Sequence, residues 1–320
     1  MPAQDLQKAP VEAGKRRLDL RSIRNLEFLL GISRTTLHSV ARDTEKYYSP
    51  FPQRAKVRPF QKKFPPEKKR IIDHPTEPLR TIQKRIQHRL LSSLDLPYYL
   101  CGGVKGRSLL DNVLMHLGAP VIVAVDIRNF FPSTDNQRVY SVWADLLGCS
   151  ASIAALLTRL TTREHHLPKG SSTSTTLANL SLFSVDQPIR EACEKASVRY
   201  STWVDDLAFS GMRAREILPL VVETLGDAGF KISRRKVRVM GPGTRQSLNG
   251  IVIGRFPNVL QERTKQLRSG IHKLRVGEIP PKERQSYVCR LRSSIVQVAS
   301  INPRTGDRLL AQLNAVIRGI

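Results

Sequence analysis

The sequence predicts an α+β fold, and three observations support this prediction. Residues 121–125 form a continuous run of apolar, mostly β-branched side chains, which is typical of a strand buried on both faces. Residues 200–210 hold two short apolar stretches on either side of Asp205 and Asp206, a pattern that predicts a β-hairpin whose turn carries two carboxylates. Around these strands, and throughout the last part of the chain, apolar residues recur at helical spacing.

The composition indicates a globular protein with a polyanionic partner. The chain has 320 residues, of which 40% are hydrophobic, so it can bury a core in one large or two modest domains. Its formal net charge of +25 favours nucleic acid as the partner, with a membrane surface as the alternative. We expect a soluble cytoplasmic protein without a membrane partner, because there is neither an apolar run of membrane-spanning length nor a signal-peptide pattern at the start. The four cysteines form no C-x-x-C pair, which argues against a zinc site.

A third carboxylate ends the predicted buried strand. Asp126 follows Val125 directly, and if this strand neighbours the 200–210 hairpin, Asp126, Asp205 and Asp206 meet at one place. Neighbouring carboxylates repel one another unless a cation lies between them. The three residues therefore predict a site for two Mg²⁺ ions, the arrangement that serves phosphoryl transfer. The alternative for the Asp205–Asp206 pair alone is an acidic turn that faces water.

Three segments of the chain resemble the catalytic motifs of a known family, in the order in which that family has them. Residues 126–133 resemble the first catalytic motif of reverse transcriptases, residues 167–180 resemble the second, and residues 203–206 resemble the YxDD box. The resemblance is greatest to the bacterial retron type and extends over roughly residues 50 to 255. It implies a right-hand polymerase with fingers, a ferredoxin-like palm and a helical thumb. It also implies an RNA-directed DNA polymerase, a nucleotidyltransferase that uses two Mg²⁺ ions and dNTP substrates.

This resemblance, together with the apolar patterns, divides the chain into four parts. We expect a helical N-terminal extension over 1–50, fingers with part of the palm over 51–120, the palm over 121–255 and a helical thumb over 256–320. In the extension, two short helices are predicted between residues 18 and 42, broken near Gly31 and with Ser33 as a cap. A helix-turn-helix DNA reader is the alternative for this segment.

Basic residues and prolines alternate between residues 54 and 70, which excludes a long helix and predicts extended segments or a hairpin. At the end of this stretch, residues 70–75 resemble the fingers motif of the family, and the resemblance implies that Arg70 binds the triphosphate of the incoming nucleotide. A planar guanidinium suits this role because it donates two parallel hydrogen bonds to phosphate oxygens.

A glycine-rich loop and a short motif follow before the buried strand. Residues 102–108 lack the ending of a nucleoside-triphosphatase loop. By resemblance this loop contacts the nucleic-acid strand through Lys105 and Arg107. Asn112 and His116 resemble the NAxxH element that distinguishes retron enzymes, which places them among the nucleic-acid-binding residues. The alternative for these two is a helix cap and a structural histidine.

The resemblance also assigns a nucleotide pocket. It implies that the carbonyl group of Ile127 faces the metals, that Phe131 lies under the ribose and selects dNTPs, and that Lys236 neutralises the departing pyrophosphate. Lys169 and Gly170 would line the pocket as well. Lys169 stands where the family usually has glutamine, and a lysine cannot imitate the paired donor and acceptor of an amide.

Two further departures concern nucleic-acid contacts. Trp203 replaces the tyrosine of the YxDD box, which removes a hydroxyl but keeps a flat stacking surface next to the primer. At the place of the retron VTG triplet, only Gly250 is kept.

Helical patterns lie between and after these motifs. They predict helices over 137–147 and 151–160, one long helix over 172–193 that Pro188 kinks, and an amphipathic helix over 213–229. In the predicted thumb, an apolar stripe contains Tyr287, Leu291, Ile295 and Val298.

The sequence therefore predicts an enzyme that copies a structured RNA into DNA. For a retron enzyme, the resemblance implies self-priming from a 2′-hydroxyl of its own non-coding RNA, a branched RNA–DNA product known as msDNA, and a role in anti-phage defence with an effector protein. One alternative is a reverse transcriptase from an intron or a diversity-generating element. Another is a catalytically weak RNA-binding module that has kept the polymerase fold.

Overall fold

The computed structural model describes residues 17–53 and 70–319. The helices, in chain order, are α1 (Ile23–Leu30), α2 (Arg34–Arg42), α3 (Leu79–Arg89), α4 (Leu109–Leu114), α5 (Phe130–Ser133), α6 (Asn136–Ser141), α7 (Ala151–Thr161), α8 (Ser174–Phe183), α9 (Gln187–Lys195), α10 (Leu218–Asp227), α11 (Gln261–Arg275), α12 (Pro281–Ile301) and α13 (Pro303–Arg318). The strands are β1 (Tyr48–Gln53), β2 (Arg70–Pro75), β3 (Ile122–Arg128), β4 (Arg199–Trp203), β5 (Asp206–Ser210), β6 (Lys231–Ile232), β7 (Arg238–Met240), β8 (Ser247–Leu248), β9 (Ile251–Ile253) and β10 (Pro257–Val259).

The central sheet is antiparallel and has the order β4-β5-β3-β6, with β7 also paired to β3. The chain passes from β3 through helices to the β4–β5 hairpin, and then through α10 to β6. This βαββαβ connectivity, with β3 between β5 and β6, is the ferredoxin-like arrangement. The predicted α+β class and ferredoxin-like sheet are thus confirmed. The sheet reaches from 122 to 240, inside the 121–255 that the sequence assigns to the palm.

β3 is the buried centre of the sheet. Its residues from Ile122 to Ile127 are all buried, as expected of an apolar run with neighbours on both edges and helices on its faces. The strand begins one residue after the start of the apolar run and ends two residues beyond Asp126, because the main chain continues to pair with β6 through Ile127 and Arg128.

The predicted hairpin at 200–210 is confirmed. β4 and β5 pair from Arg199 opposite Ser210 to Trp203 opposite Asp206, and a two-residue turn of Val204 and Asp205 joins them. Val204 has a φ of 61°, an unusual conformation for a β-branched residue. The hairpin therefore turns as tightly as a hairpin can, which keeps both carboxylates at the end of the sheet.

Several helices differ from their predicted extents. The segment predicted as one kinked helix over 172–193 is two helices, because α8 ends at Phe183 and α9 begins at Gln187, with Pro188 in its first turn. α10 begins at Leu218, not at 213. The predicted helix over 137–147 consists of α6 followed by one wide turn over Val142–Leu146.

The N-terminal helices pack against the helices that cover the sheet. α1 ends at Gly31, and the Ser33 side chain accepts a hydrogen bond from the Thr36 amide at the start of α2, so the predicted break and cap are confirmed. α1 contacts α3, and α2 contacts α7. β1 and β2 pair antiparallel on either side of the basic, proline-containing stretch. The prediction of extended segments or a hairpin falls on residues 54–69, which lie outside the described residues.

The last three helices have a hydrophobic core of their own. Leu291, Ile295 and Val298 of α12 are buried against Leu309 and other apolar residues of α11 and α13, and Tyr287 packs at the edge, so the predicted stripe is confirmed. A small sheet of β8, β9 and β10 precedes them. Within residues 17–53 and 70–319, no helix has both the length and the apolar character needed to cross a bilayer.

Candidate active site

The sheet brings the three acidic residues together at one end. Asp126 of β3 pairs directly with Asp206 of β5. Asp205 is the adjacent turn residue, and its carbonyl accepts a hydrogen bond from the Ile127 amide, with an N···O distance of 2.8 Å. Asp126 is only 7% exposed, whereas Asp205 and Asp206 are half-buried. The register of β3 against β5 therefore places Asp126 beside Asp206, and Asp205 is next to Asp206 in the sequence.

The three carboxylates disturb one another electrostatically. The pKa of Asp206 is raised to about 6, first by burial and then by the negative charges of Asp205 and Asp126. The positive charges of Lys236 and Arg238 act in the opposite direction. The neighbouring charges therefore act on the pKa of Asp206 in both directions.

Lys236 already provides one cation to this cluster. Its Nζ lies 2.6 Å from Oδ2 of Asp126, although the lysine side chain is 60% exposed. Lys236 belongs to a short 3₁₀ turn after β6, and this turn is attached to β3 because the Ser233 amide donates to the Asp126 carbonyl. The sequence predicts a role for Lys236 at the pyrophosphate, and the structure places it beside the carboxylates.

The donor set fits Mg²⁺, although the side chains do not surround one common point. Within the described residues, no group of three His, Cys, Asp or Glu side chains is close enough to hold a metal ion as it stands, and Asp126 is turned to Lys236. Carboxylate oxygens are nevertheless the ligands that Mg²⁺ prefers. Burial and the neighbouring carboxylates raise the pKa of Asp206, and a cation beside it would act in the opposite direction. Asp126, Asp205 and Asp206 are therefore the residues that could hold it.

Phe131, five residues after Asp126, lies on a helical turn rather than on the strand. Asn129 has a φ of 52°, which ends β3 and begins α5. Phe130 is buried and packs against Phe230, with ring centroids 5.5 Å apart, while Phe131 is half-buried. Of the two rings, Phe131 is the more exposed.

The Lys169–Gly170 loop lies against the strand that contains Arg70. The Asp73 amide of β2 donates to the Lys169 carbonyl at 2.6 Å. A Cβ atom at Gly170 would lie 2.7 Å from the Ile72 side chain and 2.8 Å from the Asp73 carbonyl, and the φ of Gly170 is +125°, so only glycine fits here. The main chain of Arg70 is in β2, and its side chain is outside the described part of the structure.

The glycine-rich loop packs beneath the acidic turn. A Cβ atom at Gly102 would lie 2.4 Å from the Val204 amide, and the Cys101 amide donates to the Thr202 carbonyl at 2.9 Å. Lys105 is exposed. Arg107 instead donates to the main-chain carbonyls of Leu96, Pro97 and Leu100. This geometry leaves Lys105 able to reach a phosphate and gives Arg107 a structural task, which corrects its prediction as a nucleic-acid contact.

His116 and Asn112 lie inside the protein, which corrects the prediction that they contact nucleic acid. His116 is fully buried, and its two ring nitrogens lie 2.7 Å from the hydroxyls of Ser201 and Ser210. Burial, assisted by the charge of Arg199, lowers the pKa of His116 to about 3, so the ring is neutral. Asn112 donates to Ser201 at 2.8 Å. The alternative role, a structural histidine, describes this geometry.

The last two residues in this group occupy surface positions. Trp203 is half-buried at the end of β4, next to the acidic turn. Gly250 is exposed and follows Asn249, and both have a positive φ. They therefore form the tight turn between β8 and β9, for which an Asn-Gly pair is typical. The structure does not bring Gly250 into the acidic cluster.

Two features of the site escaped sequence reasoning. Ser201 and Ser210 hold the buried histidine, but a serine in a strand carries no signal of its partner. Arg163, in the loop after α7, forms ion pairs with Asp73 and Glu45. The only signal was an arginine beside Glu164 at the end of an otherwise apolar helix.

Comparisons with known proteins agree with this geometry. A family model described as "Reverse transcriptase (RNA-dependent DNA polymerase)" matches residues 60–267. The chain is similar to the retron Ec86 reverse transcriptase of Escherichia coli, with 25% identity over 82% of this chain and 81% of the relative. It is also similar to the retron Se72 reverse transcriptase of Salmonella heidelberg, with 30% identity over 59% of this chain and 48% of the relative. The retron Mx162 reverse transcriptase of Myxococcus xanthus is 28% identical over 77% of this chain and 58% of the relative. The chain thus spans about half the length of the last two.

Proposed function

Because the chain belongs to the reverse transcriptase (RNA-dependent DNA polymerase) family, whose model matches well over half of its length, we propose that it is a retron-type enzyme that copies a structured non-coding RNA into DNA. The enzyme class, RNA-directed DNA polymerase, and the right-hand polymerase fold follow from the family. The retron type is favoured by the relatives, because three of the proteins most similar to this chain are retron reverse transcriptases.

One observation carries the catalytic part of the proposal: β3 and β5 pair so that Asp126 lies opposite Asp206, beside Asp205. We assign metal binding to these three carboxylates and to the carbonyl of Ile127. Two Mg²⁺ ions, when bound, would lower the pKa of the attacking hydroxyl and stabilise the leaving pyrophosphate. Lys236 lies beside Asp126, where its ammonium can neutralise phosphate charge.

The remaining assignments concern substrate binding. Arg70, Phe131, Lys169 and Gly170 bind the incoming dNTP, with Phe131 against the ribose. Lys105, Trp203 and the Gly250 turn contact nucleic acid, since all three are at least partly exposed. The cognate RNA, self-priming from a 2′-hydroxyl, the branched msDNA product, a cytoplasmic location and a defence effector as partner belong to the retron part of the proposal.

A primer-extension assay tests the catalytic part. On a primed RNA template with dNTPs and Mg²⁺, the wild type incorporates nucleotides, and an Asp205→Asn/Asp206→Asn double variant does not. If the two proteins incorporate equally little while both bind RNA, the chain is an RNA-binding module with a polymerase fold.

A second experiment tests the retron part. Small nucleic acids are extracted from cells that express the gene together with its upstream flank. A discrete DNA band that ribonuclease shortens but does not remove is expected of a branched RNA–DNA product. Polymerase activity without such a band indicates an intron or diversity-generating type of reverse transcriptase.

A further inference from the structure

Arg163 is the centre of a cluster of ion pairs next to the proposed nucleotide pocket. Its side chain is only 13% exposed, and its guanidinium contacts the carboxylates of Asp73, Glu45 and Glu164. The guanidinium also lies over the ring of Tyr48, 5.3 Å from its centroid. Asp73 is 16% exposed, whereas the other two carboxylates are more than half exposed. Since water screens exposed pairs strongly, the Arg163–Asp73 pair is the one with the largest effect.

Asp73 connects two segments that both belong to the proposed nucleotide pocket. Its main-chain amide donates to the Lys169 carbonyl, and its Oδ2 accepts a hydrogen bond from the Lys169 amide at 3.3 Å. Asp73 lies three residues after Arg70 on β2. The Lys169–Gly170 loop is therefore attached to the strand of Arg70 at a single residue, whose other carboxylate oxygen contacts Arg163.

A second set of hydrogen bonds holds the residue that follows Lys169 and Gly170. The Ser171 hydroxyl donates to Oε1 of Gln83 at 2.9 Å. The side-chain Nε2 of Gln83 donates to the Tyr48 hydroxyl at 2.8 Å and to the Leu160 carbonyl at 3.0 Å. Because the Arg163 guanidinium lies over the ring of Tyr48, the two sets of interactions are in contact with each other.

The charge of Asp73 requires explanation, because a carboxylate near a triphosphate repels it. Arg163 neutralises Asp73 and in this way allows the carboxylate to hold the Lys169 amide without a penalty for the substrate. We propose that Asp73 and Arg163 are positioning residues that hold the Lys169–Gly170 loop against the strand of Arg70 and so determine the affinity for the incoming dNTP. This inference rests on the proposed function and extends it to Asp73, which lies in the fingers motif but has no role assigned by it, and to Arg163, which lies outside the motifs.

Steady-state kinetics on a primed RNA template test the proposal. Arg163→Gln leaves the Asp73 charge uncompensated. Asp73→Asn keeps the size of the side chain, but an amide has one acceptor oxygen and cannot serve Lys169 and Arg163 together. Each variant is expected to raise KM for dNTP about 10-fold while kcat stays within about 2-fold, since each loses a charge-assisted hydrogen bond. The double variant is expected to raise KM about as much as the worse single variant and not about 100-fold, because both changes remove one interaction.

A matched control uses the exposed ion pair of Arg213 and Glu216, whose side chains are 59% and 58% exposed. Arg213→Gln removes the same type of side chain from the surface and should leave KM unchanged. RNA affinity and the melting temperature are measured for all variants. The proposal is overturned if the two single variants keep the wild-type KM, if kcat falls instead of KM rising, or if the double variant shows the product of the two single effects.

Hydrogen exchange separates this inference from the proposed function. The amides of Leu167 and of residues 169–171 should exchange faster in Arg163→Gln than in the wild type, whether or not the protein polymerises. If the wild type does not extend a primer but these amides exchange faster in Arg163→Gln, the attachment of the loop is supported and its link to dNTP affinity is refuted. Unchanged exchange in this segment would refute the attachment itself.

Discussion

Asp206 is charged at neutral pH against the effect of its surroundings. Burial and two neighbouring carboxylates raise its pKa to about 6, while Lys236 and Arg238 moderate that shift. The neighbours therefore act in opposite directions on one titration, and replacing them one at a time separates their effects.

We expect Asp205→Asn to lower the pKa of Asp206 below about 6 in metal-free protein, because it removes a negative neighbour. Lys236→Gln should raise the same pKa, because it removes a positive one. Carboxyl chemical shifts of Asp206, followed by NMR from pH 4 to pH 8 in the presence of a chelator, measure both. Shifts in the same direction for the two variants would contradict this account of the site.

The same pKa has a consequence for stability. Since the pKa of Asp206 in the folded protein, about 6, is above its ordinary value of 3.8, proton binding favours the folded state. This contribution is fully present below about pH 4 and is lost as the pH rises through 6. In chelator at pH 7, Asp206→Asn should therefore unfold at higher denaturant than the wild type, with a gain of about 1–3 kcal/mol that disappears near pH 4. If the variant is less stable than the wild type at pH 7, the charged form of Asp206 is stabilised in the folded protein and this account of its pKa is wrong.

Lys105 and Arg107 are two residues apart, and the structure separates their roles. Lys105→Ala should weaken RNA binding and leave the melting temperature unchanged, because its side chain is exposed. Arg107→Leu should cost about 2–3 kcal/mol of unfolding free energy, because three main-chain carbonyls lose a charged donor. Filter binding and chemical denaturation of both variants test the assignment, and an exchange of the two phenotypes would refute it.

At the scale of elements, the acidic hairpin depends on a buried polar brace. His116 joins Ser201 of β4 to Ser210 of β5, so it connects both strands of the hairpin from one face. A neutral imidazole has one donor and one acceptor nitrogen, and each hydroxyl can supply the complementary group. The brace is therefore fully satisfied only while the ring stays neutral.

We expect His116→Leu to lower the free energy of unfolding by about 2–4 kcal/mol, because the buried hydroxyls of Ser201 and Ser210 both lose their hydrogen bond to the ring and Ser201 keeps only the one from Asn112. His38→Leu, which changes an exposed histidine of α2, is the matched control and should stay within about 0.5 kcal/mol.

The pH dependence supplies a second readout for the brace. Because the pKa of His116 in the folded protein is about 3, below its ordinary 6.5, wild-type stability falls as the pH drops below 6.5. The loss of stability between pH 7 and pH 4 should be smaller in the Leu variant. An equal loss in both proteins would mean that His116 does not contribute to it.

The elements that could be predicted are those with a local signal. The apolar run of β3 and the hairpin around Asp205 follow from the period of their side chains, and the cap at Ser33 from its residue type. The break between α8 and α9 could not be placed, since Pro188 fits either a kink within one helix or the first turn of a second helix. The burial of His116 could not be predicted either, because it depends on Ser201 and Ser210, which are distant along the chain.

At the scale of the whole molecule, the net charge determines how RNA affinity depends on salt concentration. A formal charge of +25 on 320 residues implies that RNA binding releases many counterions. The logarithm of the binding constant should therefore fall linearly and steeply with the logarithm of the salt concentration. Lys105→Ala should reduce the magnitude of that slope by about 1. Titrations between about 50 and 200 mM salt measure it, and an unchanged slope would mean that Lys105 contacts no phosphate.

The pairing of β3 with β5 restricts how this chain can change in length. Side chains alternate between the two faces of a strand, so deleting one residue from 122–125 would turn Asp126 to the opposite face while the apolar run still paired. Conservative exchanges of valine for isoleucine there keep the residue count and are tolerated. A single-codon deletion in this strand is therefore expected to reduce activity more than most substitutions do. Homologous proteins should differ here in amino-acid sequence but not in the length of the segment.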